Sequence, residues 1–292
     1  MVLPDKDPLL TASWVFEHMN APDLVILDAS FFLPAQRRDA RKDYTERHLP
    51  GAQFFDIDAI ADTTSPLPHM LPSVDDFANA VGQMGIGEHT LVVVYDDNDF
   101  MASARVWWTF RFFGHTRVRV LDGGLRHWLY LNYPVQAVIP SVTPQHFTAS
   151  PRTELVCTLD AMLDLLDQPQ CQIIDARPPG RFSGEEPEPR PGLRSGHIPR
   201  SRHLFFKELV DPSSHCLKSG PDLEHLFRHS GIDPTRQVTV TCGSGVTAAI
   251  LALALYRIGN EGVAVYDGSW AEWGQHPEVP ISRGNHTGFQ SP

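Results

Sequence analysis

Apolar residues in this chain fall into short, continuous runs rather than alternating ones. Three of them, at 25–27, 91–95 and 118–121, lie in the first half, and three, at 173–174, 238–241 and 263–266, in the second. Runs of this length, rich in Val and Ile, predict strands buried on both faces of a parallel sheet. Helical patterns stand between them. Residues 103–113 run into Gly114 and residues 247–258 into Gly259, where a left-handed C-cap belongs. The 248–258 stretch is apolar nearly all round, which predicts a buried helix. Strands alternating with helices give an α/β fold with mainly parallel sheets flanked by helices.

The pattern occurs twice. Val25-Ile26-Leu27-Asp28-Ala29 returns as Gln172-Ile173-Ile174-Asp175-Ala176, and His48-Leu49-Pro50 as His197-Ile198-Pro199. Asp122-Gly123-Gly124 through Trp128 returns as Asp267-Gly268-Ser269 through Trp273. The offset is 147 from Asp28 to Asp175, 149 from His48 to His197 and 145 from Trp128 to Trp273. Blocks so far apart keep nearly one register only in a duplicated domain; two copies are too few for a solenoid. The expected division is a first domain at 9–135, a linker at 136–154, a second domain at 155–283 and a fraying tail at 284–292. Prolines at 134, 140, 144 and 151 mark the linker.

Length and composition agree with two globular domains: 292 residues, 42% hydrophobic and 20% charged. Neither a bilayer-spanning run nor a signal peptide is legible, so no membrane partner is expected. Four cysteines, none spaced C-x-x-C, predict no zinc site, no disulfide scaffold and a cytoplasmic setting. The net charge of −11 argues against nucleic acid. It also means that an anionic substrate must be drawn in by particular cations.

One segment carries chemistry. The 238–241 strand ends in Cys242-Gly243-Ser244-Gly245-Val246-Thr247, directly before the apolar helix. Open α/β sheets bind ligands at such a point. Gly243 and Gly245 permit a tight loop whose amides converge on one spot, and the helix N-terminus adds positive potential. Both favour an anion: the Cys242 thiolate and a group held on it. A core cysteine gains nothing from this loop, and Cys157, Cys171 and Cys216 have no such context. The matching first-half residue is Asp96, which has no thiol chemistry, so the first copy reads as inactive. A cysteine phosphatase needs arginine six residues after the cysteine; that position is Ala248. Sulfur transfer through a persulfide remains.

These residues resemble the two-domain rhodanese-type sulfurtransferases, nearest their 3-mercaptopyruvate branch, over about residues 10–273. The motifs are 242–248, Gly180-Arg181-Phe182 through Pro187-Glu188-Pro189-Arg190, and Tyr266-Asp267-Gly268-Ser269-Trp270. Thr64-Ser65-Pro66 through Pro72 and Arg105-Val106-Trp107-Trp108 match the first copy. The fold implied is tandem rhodanese-like domains. The thiosulfate-preferring branch carries Arg-Lys after its cysteine; here Gly243 and Ser244 are neutral. By resemblance, Cys242 is the nucleophile, and Gly243, Gly245, Val246 and Thr247 line the substrate. Arg181 and Arg190 bind the carboxylate and carbonyl oxygens, although Glu185, Glu186 and Glu188 are ready ion-pair partners. Ser244, His48 and an aspartate, Asp39 or Asp43, are implied as a proton relay between the domains. His197 repeats His48, which equally suits a histidine serving the fold.

The resemblance implies no metal and no organic cofactor. Its partners are a small-molecule sulfur donor and an acceptor: a small thiol, cyanide or thioredoxin. Thiosulfate:cyanide transfer and a non-catalytic persulfide carrier are the competing functions.

Overall fold

The computed structural model describes residues 7–284. The chain forms two compact units. The first runs to Thr153 and also takes in Val210–Lys218; the second comprises Glu154–Leu209 and the chain from Ser219 on.

Each unit is built on a five-stranded, wholly parallel sheet. In the first, β1 (Leu9–Leu10), β2 (Leu24–Asp28), β3 (Gln53–Phe54), β4 (Leu91–Tyr95) and β5 (Val118–Leu121) are ordered β1-β5-β4-β2-β3. In the second, β6 (Val156–Cys157), β7 (Gln172–Asp175), β8 (Arg202–His203), β9 (Val238–Thr241) and β10 (Ala264–Tyr266) are ordered β6-β10-β9-β7-β8. The orders are the same, as duplication requires. The central strands β4, β7 and β9 are buried at every position, which explains the unbroken apolar run of β4 and the Ile-Ile and Val-Thr-Val cores of the other two.

Flanking helices begin where the sequence offers a capping hydroxyl. Ser73 accepts from the Asp76 amide, Thr158 from Ala161 and Ser219 from Asp222. The helix Ala248–Arg257 after β9 is buried from Ala248 to Leu255, and the helix Ser103–Phe112 after β4 is buried throughout. Gly114 and Gly259 close these helices at φ +88° and +98°. Each buried Leu, Ile or Phe here contributes about 1.5–3 kcal/mol.

The boundaries differ from the sequence expectation in two places. The 136–154 stretch is not a free linker: up to Thr153 it packs along the first unit. Gln136 bridges His48, the Gln145 amide donates to Gly82, and Ser150 and Arg152 donate to Phe113 and Phe112. Phe147 is buried with its ring 5.7 Å from Phe77. The prolines stiffen an extended strap whose backbone groups are satisfied by the unit it follows. The second departure is Val210–Lys218, which comes from the second half of the sequence yet belongs to the first unit. There Val210 bridges Leu217, the Leu217 amide donates to Asp122 at 2.8 Å, and His215 meets Asp99 at 2.9 Å. The tail expected at 284–292 lies, beyond Gly284, outside the described residues.

No helix among the described residues is long and apolar enough to cross a membrane, and no cluster of His, Cys, Asp or Glu there could hold a metal ion.

Candidate active site

Cys242 follows directly on β9 and is buried. The loop after it is held from beneath by Ser269. That hydroxyl donates to the Tyr266 carbonyl at 2.7 Å and accepts the amides of Cys242 at 3.2 Å and Gly245 at 3.0 Å. One proton and two lone pairs are thereby used up. Trp270 and Ala271 donate their amides to the carbonyls of Cys242 and Gly243 at 3.0 and 2.9 Å. With its carbonyls turned down into these bonds, the loop leaves its other amides directed elsewhere. Among the described residues, the N–H groups of Gly243, Ser244, Val246, Thr247 and Ala248 donate to no protein acceptor. They line the N-terminus of a ten-residue helix whose N-cap, Thr247, makes no side-chain cap. Gly245 bends the loop at φ +73°, where a side chain is strained. The Ser244 hydroxyl is likewise without a protein partner among the described residues.

Two arginines stand over this loop. A Cβ on Gly243 would lie 3.1 Å from Arg181 Nη2 and 3.8 Å from Arg190 Nη1. The absence of a side chain at 243 eases the approach of Arg181, while Arg190 stands at ordinary contact distance. They are held differently. Arg181 gives Nε and Nη2 to Glu188 Oε2, at 3.1 and 2.5 Å. Arg190 is half-buried and has no hydrogen-bonded carboxylate among the described residues. Burial, and then the neighbouring Arg181 charge, pull its guanidinium below the usual arginine range. An anion placed there would relieve both.

Behind Arg181 lies a fully buried ion network. Arg177 contacts Asp175 at 2.6 Å, Glu188 at 2.7 Å and the Gly196 carbonyl at 2.8 Å, and stacks 4.2 Å above the Trp270 ring. The chain thus links the arginine region to the residue that supports Cys242. Sequence reading missed Arg177 and Ser269. For Ser269 a signal existed: the repeat aligns it with Gly124, and both are left-handed, at φ +48° and +53°. A serine retained where the other copy has glycine is strained, and its hydroxyl is the reason.

The first unit carries the same loop in a closed form. Asp96 follows directly on β4, and its carboxylate accepts the amides of Asn98, Phe100, Ala102 and Ser103 at 2.8–3.1 Å. Burial raises its pKa against the lowering effect of those amides. Its anion cradle is filled by its own side chain.

The expected relay is not assembled within the first unit. Asp39 spends its carboxylate as the N-cap of the helix Ala40–Glu46, bonding the Lys42 amide. Asp43 pairs with Arg38 at 2.6 Å. His48 is fully buried, its two ring nitrogens facing the Tyr44 and Val138 carbonyls at 2.7 and 3.2 Å. It stacks on Tyr44 just as His197 stacks on Phe182 and contacts that residue's carbonyl. The aromatic stack and the Nδ1–carbonyl contact recur in both copies, which is a part these rings play in the fold.

The model of the rhodanese-like domain matches residues 11–130 and again 158–276. The human 3-mercaptopyruvate sulfurtransferase is 43% identical over 94% of this chain and 95% of its own. A mouse thiosulfate sulfurtransferase is 42% identical, also over 94% and 95%. The crystal structure of SseA, a 3-mercaptopyruvate sulfotransferase from Escherichia coli, superposes with a TM-score of 0.82 at 37% identity, covering 90% of this chain and 98% of that one. Two matched copies, a shared strand order and relatives aligned over nearly their whole length make this chain a member of the rhodanese-like family.

Proposed function

We propose that the protein is a 3-mercaptopyruvate sulfurtransferase with Cys242 as its nucleophile. The observation that carries this reading is the pairing of loop amides that meet no protein acceptor with Arg190, a cation with no hydrogen-bonded carboxylate among the described residues, beside Gly243. Such a site suits a small carboxylate whose reacting sulfur lies against Cys242. The names of the full-length relatives support the same donor.

The reaction runs in two halves. The Cys242 thiolate attacks the thiol sulfur of mercaptopyruvate. An S–S bond forms, the C–S bond breaks, and its electron pair passes into the carbonyl as the enolate of pyruvate. Arg181 and Arg190 stabilise the carboxylate and the developing enolate oxygen. The sulfur keeps its hydrogen, leaving Cys242 as a persulfide, and one proton converts the enolate to pyruvate. The Ser244 hydroxyl, in the loop beside Cys242, hands that proton to the enolate carbon. The amides of Gly243, Gly245, Val246 and Thr247 are the frame around the transferred sulfur, Gly245 through Ser269. An acceptor thiolate then attacks the outer sulfur, breaks the S–S bond and returns the Cys242 thiolate. Small thiols, cyanide and thioredoxin present that chemistry. Four free cysteines suit a reducing, cytoplasmic setting.

The test is steady-state pyruvate release from mercaptopyruvate with a thiol acceptor, beside mass spectrometry of the donor-treated protein. Turnover is expected, together with an adduct of about 32 Da on Cys242. Cys242→Ser should lose both; a variant turning over normally overturns the reading. A persulfide carrier would show the adduct without sustained pyruvate release. Thiosulfate as preferred donor is the second reading, favoured by the mouse relative; thiocyanate formation from each donor separates the two.

A further inference from the structure

Three guanidinium groups and two carboxylates form one cluster beside the Cys242 loop: Arg177, Arg181 and Arg190 against Asp175 and Glu188. Asp175 is committed to Arg177, with contacts of 2.6 to 3.1 Å. Glu188 is not committed to one partner. Its side chain is 2% exposed, and its two oxygens divide between Arg177, at 2.7 Å, and Arg181, at 2.5 Å. Two acids against three bases leave one positive charge, and Arg190 is the guanidinium that has no hydrogen-bonded carboxylate among the described residues, Glu188 acting on it only through space.

We propose that Glu188 is a positioning residue that sets the charge of the anion this site accepts. Resting on the sulfur-transfer reading above, the inference is that Glu188 matches the site to a monoanionic α-keto acid donor rather than to dianionic thiosulfate. Arg177 is saturated by Asp175, Glu188, Gly196 and the Trp270 face, so it reaches no substrate. Arg181 presents to the loop a group half-neutralised by Glu188, suited to a neutral ketone oxygen. Arg190 presents a whole charge, suited to one carboxylate. A dianion in the same place would hold one charge unmatched and poorly solvated. Neutral Gly243 and Ser244 do not supply the missing cation. Glu188 also fixes the fork of Arg181, so the discrimination comes with a defined geometry.

The test compares thiocyanate formation from mercaptopyruvate and from thiosulfate, with cyanide as common acceptor, in wild type, Glu188→Gln and Glu188→Asp. Removing one buried negative charge should lower the ratio of kcat/KM for mercaptopyruvate over thiosulfate about tenfold in Glu188→Gln, mainly through KM. Glu188→Asp keeps the charge and should keep the ratio while both donors lose efficiency. An unchanged ratio in folded Glu188→Gln, or an equal loss for both donors, overturns the inference. A wild type that releases no pyruvate overturns the parent reading as well, so the two failures are distinct. Should Glu188→Gln lack a cooperative unfolding transition, the wild type decides alone. Methanesulfonate and sulfate have similar shapes and differ by one charge. Methanesulfonate should protect Cys242 from iodoacetamide at a concentration no higher than sulfate does, and tenfold tighter protection by sulfate overturns the inference.

Discussion

Asp96 occupies in the first unit the position that Cys242 occupies in the second, directly after the central strand and before the buried helix. Four amides of the Asp96 loop are closed onto its own carboxylate, whereas five amides of the Cys242 loop have no protein acceptor among the described residues. One copy carries its anion permanently; the other is free to receive one.

The Asp96 carboxylate therefore carries structural weight. Asp96→Ala leaves four buried amides without an acceptor, and the expected loss is about 3–5 kcal/mol. Urea unfolding measures it. A loss below about 1 kcal/mol would mean that water reaches these amides.

Arg190 and Arg181 should not be equivalent. Arg190→Ala removes the cation that lacks a carboxylate partner, so kcat/KM for mercaptopyruvate should fall about 30- to 100-fold, chiefly as a rise in KM. Arg181→Ala also leaves Oε2 of the buried Glu188 without its guanidinium, Arg177 holding only Oε1, so it should lower the melting temperature as well as activity. Initial-rate kinetics beside thermal melts distinguish the two, and identical effects in both measurements would contradict the assignment.

Ser269 is expected to matter for turnover without touching substrate. Ser269→Gly relieves the left-handed strain at φ +48° yet removes the acceptor for the Cys242 and Gly245 amides. These effects oppose each other in stability, giving a net change within about 1 kcal/mol. The loop loses its floor, so kcat should drop about tenfold or more. Full activity in the glycine variant would show that the loop holds its shape unaided.

Asp28 predicts a pH dependence confined to the first unit. Its repeat partner Asp175 is paired with Arg177, whereas Asp28 has Ser30 where that arginine would stand. Burial pushes the Asp28 carboxyl up to about 6, against the opposing bonds from Ser30 and Tyr95. The folded state thus prefers the protonated acid. The resulting stability is fully present below the unfolded value near 4 and is lost as pH rises through 6. Asp28→Asn should flatten that loss by on the order of 2 kcal/mol between pH 4 and pH 7 in urea titrations. Parallel pH profiles for variant and wild type would contradict it.

What could be read from the chain follows from what determines each element. The runs at 91–95, 118–121 and 238–241 coincide with β4, β5 and β9, because valine and other β-branched residues dominate them, even with Arg119 in β5 and two threonines in β9. The two-residue strands β1, β3, β6 and β8 were not legible; at that length, pairing to a neighbour creates the strand. Gly243, Gly245 and Cys242 were legible because conformation and chemistry coincide there. The surroundings of His48 were not legible, because its nitrogens face the Tyr44 and Val138 carbonyls, which only the fold brings near. The strap at 136–153 was missed because proline content speaks of stiffness and not of attachment.

The segment Val210–Lys218 has a consequence for biosynthesis. Domains generally fold as they leave the ribosome, the earlier one first. Here the first unit cannot complete itself when Thr153 emerges, because Leu217 and His215, the partners of Asp122 and Asp99, are still to be translated. A gene fragment ending at residue 153 would encode an unfinished module, and the two halves are joined by order of synthesis as much as by the peptide between them.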